Sequence, residues 1–234
     1  MAKGVGTLNE KPLHAALKER LALPGDRFEV DVDGYVIDIV RGDCLIEIQT
    51  RNVSKIKRKL AALAENHCLR LVYPVAAEKW IVRLAADGES VLGRRRSPLR
   101  GSVELVFREL VSIPQLLLHP NFSLEVLLVR EEEVRRQDAN FRNWRRRGWA
   151  TQERRLLDIV ERRTFATAAG LSSLLPAALP DPFTTRQLAE AIHQPAWLAG
   201  KMAYCLREMG TIAPVGKKGN AFLYARANPP AAAQ

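Results

Sequence analysis

A chain of 234 residues is long enough for one large or two small domains, and an apolar content of 47% lets it bury a core, which excludes a disordered protein. A formal net charge of +10 favours polyanionic partners, chiefly nucleic acid, although ribosomal or anionic-lipid contact also fits. No apolar run has the length of a membrane span, no apolar signal core follows the first residues, and the isolated histidines exclude a zinc cage, so a cytoplasmic protein without a membrane is expected. Cys44, Cys68 and Cys205 are odd in number and far apart in sequence, which predicts reduced, buried thiols.

In chain order, Asn9 can cap a helix whose inward stripe is Leu13, Leu17 and Leu21, with Pro12 in its first turn. Glu10 falls on the inward face at the helix start. There it either complements the helix dipole or offers a carboxylate to a site. Phe28, Val30 and Val32 alternate as a strand, and Asp33-Gly34 turns the chain into the next one. Tyr35 to Val40 and Cys44 to Gln49 form a hairpin around Gly42-Asp43, a dipeptide that suits a two-residue turn. In that register Arg41 pairs with Cys44 and Asp38 falls opposite Glu47; a three-residue turn would instead pair Asp38 with Ile46 and put the carboxylates on opposite faces. Val36, Asp38, Val40, Leu45, Glu47 and Gln49 then share one face, and Tyr35, Ile37, Ile39, Cys44, Ile46 and Ile48 form the core face.

Two carboxylates so opposed sit about 5 Å apart at Cβ. At an effective dielectric near 20 they repel by roughly 3 kcal/mol. A proton, a basic side chain or a hard divalent cation must offset this. The plain alternative is an acidic pair on a solvated sheet face. Glu29, opposite Asp38 on the preceding strand, is either a further carboxylate or a solvated charge.

A second helix starts at Asn52 or Ser54 with Ile56, Leu60 and Leu63 inward. Lys55, Lys57, Arg58 and Lys59 crowd its first half. Leu69 to Val75 is the next strand, parallel to Cys44–Gln49 through a right-handed crossover. Trp80–Leu84 and Ser90–Leu92 flank an Asp87-Gly88 turn as a second hairpin. Arg94, Arg95 and Arg96 follow, with Arg100, as phosphate contacts or as a solvated loop. A helix over 103–111 and a strand over 124–129 complete an α/β unit, a mixed central sheet flanked by helices.

Residues 131–150 are dense in charge and are expected to be a basic connecting helix anchored by Phe141 and Trp144. From 151 to 226 the pattern changes: a helix over 152–163, a helix capped by Thr184 or Thr185, a third starting at Pro195, then two short strands. Three helices and a hairpin of these lengths resemble a winged helix-turn-helix domain, which would present Lys201, Tyr204 and Arg207 on its third helix and Lys217 and Lys218 on its wing.

The order helix with Glu10, strand with Asp38, strand with Glu47-Ile48-Gln49, helix and strand resembles the PD-(D/E)XK, or restriction-endonuclease-like, nuclease superfamily over about residues 8–130. The resemblance implies Mg²⁺, with Mn²⁺ as substitute, held by Asp38, Glu47, Glu10 and the Ile48 carbonyl. It departs from the name-giving pattern where Gln49 stands in place of the usual lysine. An amide can orient water or a phosphate oxygen but supplies no charge, so Lys55 or Lys57 would have to supply it. The expected function is a metal-dependent DNA endonuclease, with a nuclease-like DNA-binding protein that has lost catalysis as its rival. RNA as substrate, and the oligomeric state, homodimer included, stay open.

Overall fold

The computed structural model describes residues 11–138 and 148–227, so Glu10, Phe141, Trp144 and the Arg145–Arg147 run lie outside the described residues. The chain begins with α1 (Pro12–Leu21), whose Leu13, Leu17 and Leu21 are buried as their spacing predicts. A meander of β1 (Arg27–Val32), β2 (Tyr35–Arg41) and β3 (Cys44–Ile48) follows. A 3-10 turn (Val53–Ile56) and α2 (Lys57–Asn66) then lead into β4 (Cys68–Leu84). After β5 (Val91–Arg96) and α3 (Phe107–Leu110), two long strands, β6 (Phe122–Gln137) and β7 (Trp149–Phe165), complete a seven-stranded sheet.

The sheet is mixed. β3 runs parallel to β4, and β4 parallel to β6, while the other pairs are antiparallel. β4 has β6 along one side over nearly its whole length. Its other side is divided, with β3 beside the first half and β5 beside the second. The expected strand over 69–75 therefore runs on through Trp80–Leu84 as one strand. The arginines at 94–96, expected in a loop, lie in β5.

The basic connecting helix over 131–150 and the helix over 152–163 are not formed in the described residues: 131–137 continue β6, and 149–165 are β7. The cause is visible in the register. Val129 pairs with Ile159 but Glu131 pairs with Leu156, because bulges insert extra residues into β7. Leu156 and Ile159, three apart, thus pack on the same cluster and mimic a helical stripe. The sheet consequently extends past residue 150, to Phe165.

Beyond it stand α4 (Ala168–Ser172), β8 (Phe183–Thr184), α5 (Thr185–Ala191), α6 (Ala196–Glu208), β9 (Ile212–Lys218) and β10 (Ala221–Arg226). Thr184 caps α5 with a reciprocal Gln187 bond, a capping box. β8, β10 and β9 make a small three-stranded sheet. This C-terminal part shares its core with the main sheet: Phe183, Leu188, Leu198, Met202 and Leu206 join Leu63, Leu71, Phe107 and Leu124 in one buried cluster. A second cluster packs α1 on Ile39, Ile46, Ile48, Val72, Leu127 and Val129.

One close approach ties the layers together. A Cβ on Gly101 would sit 2.2 Å from the Ala76 carbonyl oxygen. Ala76 is paired with Val129 beside a bulge in the β4–β6 ladder, so the obstructing atom is backbone held in a strand and not the end of a flexible side chain. Gly101→Ala is therefore expected to lower stability by about 2–3 kcal/mol. Urea denaturation would read this as a lower midpoint; an unchanged midpoint would refute the clash.

Candidate active site

The hairpin register is the expected one, with Arg41 opposite Cys44 and Ile39 opposite Ile46, which brings Asp38 beside Glu47. The facing pattern differs. Ile37 packs in the cluster with α2 and Ile39 in the cluster with α1, so strict alternation breaks at Asp38. Glu29, the residue of β1 opposite this break, has a positive φ of 52° and ion-pairs with Lys18 at 2.8 Å. It serves as a surface ion pair.

As a result the two acids do not simply face each other across one side of the sheet. Asp38 turns to α1, where His14 Nε2 lies 3.2 Å from its Oδ2. The same oxygen accepts the Ile48 main-chain N–H at 2.7 Å. Glu47 turns to α2. Lys59 Nζ stands 2.6 Å from its Oε2 and also donates to the Val36 carbonyl at 2.7 Å. Glu47 is only 6% exposed, and its Oε2 is held by charge contact without hydrogen-bond geometry.

The acids remain electrostatic neighbours. Burial, then the negative charge of Asp38, push the Glu47 carboxyl up to about 7, while Lys59 and His14 pull it down. At neutral pH this side chain is therefore divided between acid and carboxylate. That is a state suited to a group that exchanges a proton for a cation.

Gln49 is used differently from the expectation. Its amide nitrogen donates to the Arg51 and Asn52 carbonyls and so holds the turn after β3, where Asn52 has a φ of 57°. The lysine that reaches the acids is Lys59, not Lys55 or Lys57. Its position three residues after the inward Ile56 was the available signal. His14 gave no signal beyond lying between the buried Leu13 and Leu17.

Among the described residues no group of three or more His, Cys, Asp or Glu side chains converges as a metal cage. The donors present still fit Mg²⁺: two carboxylates and, at Ile48, a main-chain carbonyl are hard oxygens, and the buried Glu47 Oε2 is met by the Lys59 charge alone, in no bond of hydrogen-bond geometry. Mg²⁺ commonly uses one or two carboxylates and completes its shell with water.

The predicted nucleic-acid contacts form separate clusters. Arg94 and Arg96 flank the Trp80 ring at 5.3 and 5.5 Å and are tied to Glu132 and Glu78. Arg95 projects from the other side of β5. Trp80 lies nine residues along β4 from Leu71, the partner of Glu47, which is roughly 30 Å of strand. On α6, Tyr204 and Arg207 are exposed, Lys201 is half-buried, and the Arg207 guanidinium lies over the Tyr204 ring at 5.4 Å. Lys217 and Lys218 end β9, with Lys217 Nζ 5.0 Å from the Phe222 ring and a tight Gly219-Asn220 turn beyond.

A further charged cluster escaped the sequence. Glu131, fully buried on β6, meets Lys79 at 2.9 Å and Arg154 of β7, which also donates to the Thr50 carbonyl at 3.3 Å. Lys79 reaches Glu133 as well, at 2.9 Å. Burial alone would raise the Glu133 carboxyl, but the Lys79 charge and the bonds from Arg135 and Lys79 hold it at about 2.

Residues 11–166 match a family described as a domain of unknown function (DUF8091). An uncharacterized protein of Treponema pallidum (strain Nichols) is 30% identical over 233 residues, which covers 97% of this chain and 88% of that protein. No solved structure matches the chain.

Proposed function

The chain belongs to the DUF8091 family, and we propose that it is a Mg²⁺-dependent DNA endonuclease. The observation that carries this is the trio at the end of the β2–β3 hairpin: Asp38, and a buried Glu47 whose carboxyl is raised to about 7, with Lys59 2.6 Å away. Asp38 and Glu47 would hold Mg²⁺ or Mn²⁺, with the Ile48 carbonyl beside them. A divalent cation held there would supply Lewis-acid polarisation of a phosphodiester oxygen and lower the cost of ionising a water.

The protein's own groups do the rest. His14 orients the Asp38 carboxylate from α1. Lys59 keeps Glu47 ionisable near neutral pH and offers its ammonium to the charge that grows on the phosphate in the transition state. It thus takes the part that the resemblance gives to a lysine at position 49, while Gln49 holds the adjoining turn. The winged-helix-like C-terminal part, through Lys201, Tyr204, Arg207, Lys217 and Lys218, and the Arg94–Arg96 strand would contact the DNA backbone. Binding would then weaken steeply with salt.

The test is cleavage of supercoiled, branched and single-stranded DNA with Mg²⁺ or Mn²⁺. Equal cutting by the wild type and Asp38→Asn would overturn the proposal. At limiting metal, cleavage should rise with pH through about 7, because Glu47 must lose its proton before it can hold the ion. Lys59→Met removes the cation that lowers Glu47, so it should cut about 10²-fold more slowly and move the midpoint of the pH profile upward. A profile that stays in place would show that Lys59 acts elsewhere.

The geometry also favours a second function, a DNA-binding protein without catalysis. Lys59 already neutralises Glu47, and the Ile48 N–H already occupies Asp38. Salt-sensitive DNA binding with no cleavage, and no Mn²⁺ binding that depends on Asp38, would select it.

A further inference from the structure

The strand-helix-strand crossover that places Glu47 has another consequence at the opposite end of β3. Because β3 and β4 are parallel and in register, Cys44 and Cys68, 24 residues apart in sequence, are direct partners on neighbouring strands. Their sulfurs lie 2.7 Å apart. The expectation of distant, buried thiols therefore holds only for Cys205, which is enclosed in α6; Cys68 is exposed and Cys44 half-buried.

We infer that Cys44 and Cys68 form a dithiol site that low-molecular-weight disulfides oxidise to an intramolecular disulfide. Neighbouring strands stand about 4.8 Å apart, within the Cα separation of roughly 4.4–6.8 Å that a disulfide spans. Sulfurs already 2.7 Å apart need only a short approach to bond, and the exposed Cys68 gives a small disulfide access.

The exchange balances in two steps. The Cys68 thiolate attacks one sulfur of the small disulfide, whose S–S bond breaks, and one small thiol leaves. Cys44 then gives up its proton and attacks the Cys68 sulfur, and the second small thiol leaves. Two electrons and two protons pass from the protein dithiol to the small disulfide, which ends as two thiols. The second step is the slower one, because Cys44 is half-buried where Cys68 is exposed, and burial pushes its thiol up, against the pull of the nearby Arg70 and Arg41. Oxidation should accordingly speed up as pH rises.

The site is independent of the nuclease proposal, and its test needs no DNA. The full chain is treated with oxidised glutathione, alkylated, and digested with trypsin without reduction. Mass spectrometry should find peptides 42–51 and 60–70 joined, and Cys205 alone alkylated. Dithiothreitol should restore alkylation at all three cysteines. Cys44→Ser should trap a glutathione adduct on Cys68, and Cys68→Ser should leave Cys44 unmodified over the same period. Three alkylated cysteines in the oxidised wild type, a lasting glutathione adduct on Cys68 beside an alkylated Cys44, or a covalent dimer would each overturn the inference.

Discussion

Glu47→Gln is expected to abolish metal-dependent cleavage and, at the same time, to stabilise the fold at pH 8. The first effect follows from the loss of a metal-holding carboxylate, and a fall of about 10³-fold is the scale for such a group. The second follows from linkage. The Glu47 carboxyl titrates near 7 in the folded protein against an ordinary 4.5. A carboxyl whose folded value is raised favours folding while protonated. Its contribution is full below 4.5 and is lost as pH rises through about 7. Above that window the buried carboxylate costs up to about 3 kcal/mol, and the loss of Lys59's partner gives part of it back. A net gain on the order of 2 kcal/mol at pH 8, shrinking toward pH 5, would appear in urea denaturation without metal. Glu47→Gln protein that unfolds more easily than wild type at pH 8 would contradict the electrostatics described. Unchanged cleavage would remove Glu47 from the site.

Arg154→Met should be among the most destabilising single changes outside the apolar core. Glu131 is fully buried and is flanked by Arg154 and Lys79. Removing Arg154 leaves the carboxylate with one cation that it must share with Glu133. Breaking such a buried pair from one side costs about 3–5 kcal/mol. The thermal midpoint should fall by many degrees, and Glu131→Gln in the same background should recover part of the loss, because the orphaned charge is gone. A double variant no more stable than Arg154→Met would show that Arg154 acts through packing and the Thr50 carbonyl instead. The long strands β4, β6 and β7 need this network. Among the described residues, Val82, Leu84 and Val134 form a small apolar cluster in their outer halves.

The first half of the fold was legible because local signals agreed with one another. Gly42-Asp43 set the hairpin register, and Leu13, Leu17 and Leu21 marked a helix face that is buried as read. Thr184 and Pro195 punctuated α5 and α6 where they were expected to. The stretch over 131–165 was misread because bulges give β7 the three-residue apolar spacing of a helix, and because alternating charges stabilise either form.

At the candidate site, the sequence by itself favoured Asp38 beside Glu47 through a two-residue turn at Gly42-Asp43, and the structure decided against the three-residue turn that would have separated them. The sequence also determined the basic character of the chain and the capped helices of the C-terminal part. Only the tertiary structure decided what each acid touches: a break in alternation sends Asp38 to His14 of α1 and Glu47 to Lys59 of α2. Local pattern cannot carry that information, because the partners arrive from two different helices, α1 and α2, remote from the hairpin in sequence. The same holds for Cys44 beside Cys68 and for Lys79 and Arg154 around Glu131. Each joins strands whose neighbours are chosen by the packing of the whole sheet.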